Sequence, residues 1–545
     1  MATTHRIRAR APRAPRRPAC LEETSDTASY LTDASRYPGG STPRVYLATS
    51  EGEVAWVLQH EERVLPVGAQ SSLTGGAAPQ GDALLSTARM DRVLALEPGL
   101  ARVEPGVALV RLQEELRERG AFYPPAPTYD GAYLGGTVAT NAAGAATWKY
   151  GTTREWVEGL SVVLASGEVL ELRRGEVVAS PEGVFEVEAS DGAVTRVPVP
   201  GYAMPDVPKR SAGYHAAPGM DLVDLFVGSE GTLGVVTEVL VRTLERAPEL
   251  LVALIPCPSE ARGLELVARL RAASRATWAE GDAAGLDVRA VESMDRRAVE
   301  LVRQDGADEA QGLAVPPGTE LLLLVQLELP PGLDPDAALA SFGEADAPDT
   351  PVARLLELLA ELELLDETEL ALPNDRARQH QLFAIREAVP SCVNHRVRDA
   401  QLQVDPRIHK VGGDMIVPFE RFAEAMEVYR REFVRERGLD LVVWGHISDG
   451  NVHPNVLPRS HQDVEDGHAA LLACGRALQA LGGCPLSEHG TGRNPVKQAL
   501  LRQLYGGAGV AQMRALKRAL DPTGKLARGV IFPWEEEGQA EVATA

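Results

Sequence analysis

The chain has 545 residues, 44% of them hydrophobic and 24% charged, which suits a globular protein of roughly two to four domains. With 77 acidic against 55 basic side chains the net charge is −22, which argues against nucleic-acid binding, where a basic face supplies most of the affinity. Five scattered cysteines without a CxxC pair argue against a disulfide scaffold or a zinc–thiolate site and suit a reducing, cytoplasmic setting, and no apolar run is long enough to span a membrane.

The first twenty residues hold six arginines and three prolines, and the chain then turns acidic; residues 1–28 read as a disordered basic tail. No apolar segment follows Arg16-Arg17, so a twin-arginine signal peptide is not expected, while peripheral association with an acidic surface stays open. "RVYLA" (44–48) reads as a strand, and "TSEGEVAWVLQH" as a helix capped by Thr49 or Ser50 with acids in its first turn. "RVLPVG" (63–68) is a second strand. Up to about residue 245, short β-rich runs such as "LARVEPGV", "VEGLSVVLASGEVLEL" and "GVVTEVLVRTL" alternate with helices such as "ALVRLQEELRERG", an α+β pattern. A second α+β region spans 246–535, with the strand "ELLLLVQLEL", the helix "VARLLELLAELELLDE" and the helix "PFERFAEAMEVYRREFVRERG", whose Phe422, Met426, Tyr429 and Phe433 form one apolar stripe. The Pro- and Asp-rich stretch 330–351 reads as a surface connection, the helix ending at Asp521-Pro522 closes the region, and 536–545 reads as an acidic disordered tail.

Within this second region "GHISDGNVHPN" (445–455) places His446 and His453 around Asp449-Gly450. Asp-Gly favours a two-residue hairpin turn. That turn would make the two histidines direct cross-strand partners, Cβ atoms roughly 5 Å apart, an arrangement that suits two ligands of one metal ion.

Three glycine-rich clusters lie at strand ends of the first region: "PVGAQSSLTGG" (66–76), "LGGTVATNAAGAATWKYG" (134–151) and "GSEGTLGVVTEV" (228–239). Such loops let the backbone approach a ligand closely and present N–H groups to an anion, as a pyrophosphate requires. None is a GxxxxGK[ST] loop or a GxGxxG opening a helix, so the nucleotide must be held in another way.

These stretches, together with "KRSAGYH" and "DLFVGSEGTLGVVTEVLVR", resemble the FAD-binding half of the vanillyl-alcohol-oxidase-type flavoproteins. They are most similar to the branch of D-lactate dehydrogenases, D-2-hydroxyglutarate dehydrogenases and the glycolate oxidase flavin subunit. The resemblance covers about residues 30–535. It implies a two-part FAD-binding domain of the p-cresol-methylhydroxylase (PCMH) type over 29–245 and a C-terminal α+β substrate domain, the FAD-linked oxidase cap, over 246–535. It also implies that Pro66, Val67, Gly68, Ala69, Gln70, Ser71, Ser72 and Leu73 wrap the pyrophosphate. By the same resemblance Gly135, Gly136, Thr137, Thr140, Asn141, Gly144, Tyr150 and Gly151 line the flavin. Glu230, Gly231, Gly234, Val235 and Val236 would meet the other end of the cofactor. No histidine lies in the first two loops, so FAD is expected to be non-covalent, with His215 the nearest histidine to the third.

"CPLSEHGTGRNPVKQ" (484–498) resembles the branch's second signature stretch. That resemblance makes His446, His453 and Glu488 the ligands of a divalent metal (zinc, manganese or iron), and His489 the catalytic base. Arg386, in "LFAIREAVP", resembles the family's arginine for the substrate carboxylate, and Asn455 a further substrate contact. The dicarboxylate-specific members carry a lysine just before "D..VP"; here Gly412 and Gly413 stand nearest, with Lys410 earlier, and Arg210 stands where asparagine is frequent.

The expected reaction is oxidation of a 2-hydroxy acid of the D-lactate, glycolate or D-2-hydroxyglutarate type, with a quinone or carrier protein as electron acceptor. The metal would acidify the hydroxyl, histidine would take its proton, and the flavin would take the hydride. An alkyl-glycerone-phosphate-synthase-like flavoenzyme, a metal-dependent hydrolase should no flavin be bound, a non-catalytic flavin subunit and assembly as a homo-oligomer all remain open at this point.

Overall fold

The computed structural model describes residues 4–125 and 129–534. Two sheets build the first half. In one, the parallel strands Val45–Leu47, Ala83–Ser86 and Val64–Val67 lie side by side with Ala19–Leu21 antiparallel at the edge. The other is antiparallel, in the order Val93–Glu97, Leu100–Val103, Val235–Arg242, Val157–Val163, Val169–Arg173. Helix Glu51–His60 starts where the Ser50 side chain accepts the Glu53 N–H, with Glu51 and Glu53 favourably placed at the positive end of the helix.

The second half is one large antiparallel sheet with Leu321–Leu329 at its centre, all nine of its residues buried. Helices Glu260–Glu280, Arg296–Gln304 and Arg376–Gln403 pack on this strand, which explains its apolar run Leu321–Val325. Pro390 stands inside helix Arg376–Gln403, where it cannot donate to the Arg386 carbonyl one turn earlier. The stripe Phe422, Met426, Tyr429 and Phe433 is buried as expected, carried through a π-turn at Arg430–Arg435. The chain end returns to the first half: Ala527 donates to Val64 O, and Lys517 Nζ to Thr232 O.

Two sequence readings need correction. Residues 4–28 are not a disordered tail. Strand Arg6–Arg8 pairs in parallel with Glu186–Glu188, and Ala19–Leu21 joins the first sheet. Three of the arginines that suggested a solvated tail meet an acid far along the chain: Arg6 with Glu188 at 2.7 Å, Arg10 with Glu51 at 2.5 Å and with Glu171, Arg16 with Glu53 at 2.8 Å. The acidic stretch 536–545 lies outside the described residues.

The second correction concerns the hairpin. Strands Leu441–His446 and Asn451–Val456 pair with Trp444 opposite His453 and His446 opposite Asn451. Asp449-Gly450 is therefore not a two-residue turn; a four-residue connection includes a 3-10 turn at Ile447–Asp449, then Gly450 at φ +85°. Asp449 is drawn elsewhere, with one oxygen 2.9 Å from Lys209 Nζ and the other accepting the Asn451 N–H at 3.2 Å. His446 and His453 still share a face as diagonal neighbours, their ring centres 5.5 Å apart.

Candidate active site

A cavity of about 1090 Å³ opens between the two halves. Its wall includes Pro66 through Leu73, Gly135, Gly136, Thr137, Thr140, Glu230, Gly231, Gly234, Val235 and Val236 on one side. Arg386, His453, Asn455, Glu488 and His489 line the other. Asn141, Gly144, Tyr150 and Gly151 lie off the wall. Asn141 Oδ1 accepts from Thr152 Oγ1 and Arg154 N, and the Tyr150 hydroxyl donates to Glu328 across the two halves. Gly144 N donates to Thr147 Oγ1, and Gly151 ends the short helix Thr147–Tyr150 with φ +77°.

A side chain at Gly136 would project into the open cavity. Gln70 holds φ +51° while its amide donates to Tyr30 O and Ala77 O, which fixes the 66–73 loop. Glu230, also left-handed at φ +51°, accepts the Thr491 and Gly492 N–H groups at 2.8 Å each, so the third glycine loop is stitched to the loop carrying Glu488 and His489. Gly490 permits that approach, because a Cβ there would stand 2.9 Å from the Glu230 carboxyl carbon.

Glu488 is the centre of the polar cluster. His446 Nε2 lies 3.4 Å from its Oε1, while His453 Nε2 and His489 Nε2 lie 3.7 and 3.9 Å from its Oε2. These separations are long for hydrogen bonds. They match the roughly 3.4 Å between ligand atoms that share a tetrahedral cation with bonds of about 2.0–2.2 Å. His446 presents Nε2 because its Nδ1 is held 2.7 Å from Glu292, the carboxylate support that metal-binding histidines use. Asp414 also stands within reach, but its oxygens already accept from Glu488 N, His489 N, Asn451 Nδ2 and Ser487 Oγ. Asp414 is the scaffold of the loop. The side chains whose ligand atoms all lie within 4.8 Å of one another are Asp414, His453, Glu488 and His489, and His446 is outside that group.

The electrostatics follow from burial opposed by pairing. Burial pushes Glu292 up, but Arg386 and His446 outweigh it and hold the carboxyl well below its usual range. Burial lowers His446, yet Glu292 and Glu488 raise it to about 9, so a proton occupies this imidazole where a metal would displace it. His453 is lowered to about 3, chiefly by burial. His489 is also lowered by burial against the pull of Asp414, which favours its neutral form. Its Nδ1 faces Asp414 Oδ2 at 3.4 Å, which leaves Nε2 toward Glu488 as the proton acceptor.

Arg386 is 6% exposed and spends its Nε on Glu292 at 2.8 Å, leaving the rest of the guanidinium for the cavity. Asn455 donates to His453 O, and its buried Oδ1 has no partner among the described residues. Gly412 makes room for this amide, since a Cβ there would stand 2.6 Å from Oδ1. Lys410 lines the cavity and bonds Asn394, whereas Arg210 turns away to Pro205 O. Sequence reasoning missed Glu292, Asp414, Lys497 and Lys209. Lys209 is fully buried, 2.6 Å from Glu488 Oε1 and 2.9 Å from Asp449. Burial lowers its pKa but the two carboxylates more than restore it, so it stays charged.

Comparison with known proteins bears on the fold and the cofactor. The FAD binding domain family matches residues 44–173, and the family of FAD linked oxidases, C-terminal domain, matches 260–531. A D-2-hydroxyglutarate dehydrogenase of Xanthomonas citri pv. viticola is 29% identical over 491 residues, covering 88% of this chain and 86% of that protein. Glycolate oxidase subunit GlcD of Bacillus subtilis is 27% identical, covering 87% and 84%. Among solved structures, a 4-ethylphenol oxidase from Gulosibacter chungangensis shares the fold with a TM-score of 0.62 at 16% identity, covering 95% of each chain. The chain is an FAD-linked oxidoreductase built of an FAD binding domain and the C-terminal domain of the FAD linked oxidases, similar to proteins named D-2-hydroxyglutarate dehydrogenase, glycolate oxidase subunit GlcD and D-lactate dehydrogenase.

Proposed function

We propose that the enzyme oxidises a D-2-hydroxy acid to the 2-oxo acid, with FAD held in the glycine-loop half of the cavity and a divalent metal held by His446, His453 and Glu488. FAD, when bound, supplies a two-electron acceptor for the hydride on the substrate Cα. The metal would supply Lewis acidity toward the substrate hydroxyl.

The remaining work falls to side chains. Arg386 is oriented through Nε by Glu292 and offers its free N–H groups to the substrate carboxylate. Neutral His489, its Nδ1 facing Asp414, takes the hydroxyl proton at Nε2. Asn455 Oδ1 accepts a hydrogen bond from the substrate.

The observation that carries the proposal is the meeting of three imidazole Nε2 atoms around the Glu488 carboxylate. Glu488, His453 and His489 lie on the wall of the cavity that the flavin loops line, and His446 lies behind it. The site does not choose among D-lactate, glycolate and D-2-hydroxyglutarate. Adding each anaerobically to the purified flavoprotein tests the reaction class: bleaching of the visible flavin bands by one of them is expected. A flavin indifferent to these and to a broader set of 2-hydroxy acids would overturn the proposal. All five cysteines are free, which keeps a cytoplasmic site of action in this reading. Among the described residues no helix is long and apolar enough to cross a membrane.

A further inference from the structure

Three lysines are buried in or beside this site, and two of them are fully partnered. Lys517 donates to Thr232 O and Leu526 O at 2.8 Å and pairs with Asp521 at 3.0 Å. Lys209 sits between Asp449 and Glu488. Lys497 differs. It is 6% exposed and lines the cavity, yet its ammonium has no hydrogen bond or ion pair among the described residues. An ammonium out of water without a counter-ion costs several kcal/mol, so its retention points to an anionic partner in the loaded protein.

Its position narrows that partner. Lys497 is in the first turn of the long helix Pro495–Leu520, whose start is capped by Asn494, so the positive end of the helix faces the same space. It lies within electrostatic reach of Glu230, on the third glycine loop, and of Asp414 and Glu488 in the histidine cluster. It therefore stands where the flavin half of the cavity meets the substrate half. The substrate carboxylate already has Arg386. The flavin ring must reach this boundary, because its N5 has to come within about 3–3.5 Å of the substrate Cα for transfer. Oxidation moves the Cα hydrogen with two electrons to N5 and the hydroxyl proton to His489. The flavin is left with one negative charge over N1 and the C2 carbonyl.

We infer that Lys497 is a catalytic residue that pairs with the N1–C2 carbonyl edge of bound FAD and stabilises the negative charge left there by hydride transfer. The inference rests on FAD binding and not on the metal. Its test is the two-electron midpoint potential of the FAD-loaded wild type, K497M and K497R, measured by dye equilibration without substrate. K497M is expected to favour the reduced cofactor at least tenfold less than wild type, a potential lower by about 30 mV or more. K497R should recover most of that difference. An unchanged potential in K497M overturns the inference, and a raised KM beside that unchanged potential would move Lys497 to the substrate. Should K497M not retain FAD, K497Q takes its place. Loss of FAD from both variants, with wild-type circular dichroism, would also overturn it, because the charge would then serve the oxidised cofactor. Neither substrate nor metal enters this measurement, so its failure leaves the 2-hydroxy acid proposal standing.

Discussion

Replacing Asp414 by asparagine should loosen the loop that carries Glu488 and His489. The Asp414 carboxylate accepts four donors: the Glu488 and His489 N–H groups at 2.8 Å each, Asn451 Nδ2 at 3.3 Å and the Ser487 hydroxyl. Asparagine can keep one oxygen on the two backbone N–H groups. Its amide nitrogen then faces Ser487 and Asn451, and two charge-assisted bonds worth about 1.5–3 kcal/mol each are lost or weakened. Asn451 keeps its bonds to Met415 O at 2.9 Å and Ser487 Oγ at 2.7 Å, which offsets part of the loss. The net cost is about 2–4 kcal/mol, or a melting temperature lower by about 4 °C or more for a unit of this size. Thermal denaturation of the FAD-loaded protein, followed by circular dichroism beside flavin fluorescence, measures it. A D414N protein that melts with the wild type and turns over normally would show that the loop is held by something other than this carboxylate.

Arg386→Lys keeps a positive charge but cannot both bond Glu292 through Nε and reach the cavity. The expected loss in kcat/KM is about 30- to 1000-fold, or about 2–4 kcal/mol, with FAD content unchanged; a loss under about threefold would remove Arg386 from the substrate site. His215 is lowered to about 3, by burial first and then by the Arg154 guanidinium, against the pull of Asp224. Between pH 6.5 and 3 the unfolded chain therefore binds a proton there that the folded chain refuses, so this contribution to stability is full above pH 6.5 and falls as pH drops toward 3. H215Q should flatten the acid limb of the stability–pH curve by about 3 kcal/mol near pH 4, and a superimposable curve contradicts the assignment. Deleting residues 1–18 removes strand Arg6–Arg8 and the Arg10 and Arg16 ion pairs. The truncated protein should melt several degrees lower while keeping its flavin spectrum, and an unchanged melting temperature would restore the reading of a dispensable tail.

Local chemistry was legible in the sequence, and long-range pairing was not. Glycine loops at strand ends, two histidines around a turn and a Glu-His pair on a glycine-flanked loop all carry their meaning within a few residues. The hairpin register was misread because the Asp449 side chain is claimed by Lys209, 240 positions earlier, so the dipeptide's turn preference is overridden. The arginine-rich start looked solvated because its carboxylate partners, Glu51, Glu53, Glu171 and Glu188, lie far downstream. Glu292 left no distinct trace, because its strand Asp287–Asp295 also carries Asp287, Arg289, Ser293 and Asp295. Asp414 and Lys497 sit inside stretches read for other residues, and only the fold shows that both face the cavity.

The central claim is that one cavity joins FAD to a metal centre of His446, His453 and Glu488 for oxidation of a 2-hydroxy acid. Its most direct test is an anaerobic titration of the flavoprotein with whichever 2-hydroxy acid bleaches it, before and after dialysis against a chelator, with metal and FAD counted in each sample. The account predicts that chelation removes about one metal per chain, leaves FAD bound and abolishes bleaching, and that zinc, manganese or iron(II) restores it. Bleaching that persists at the same rate in verified metal-free protein would contradict it.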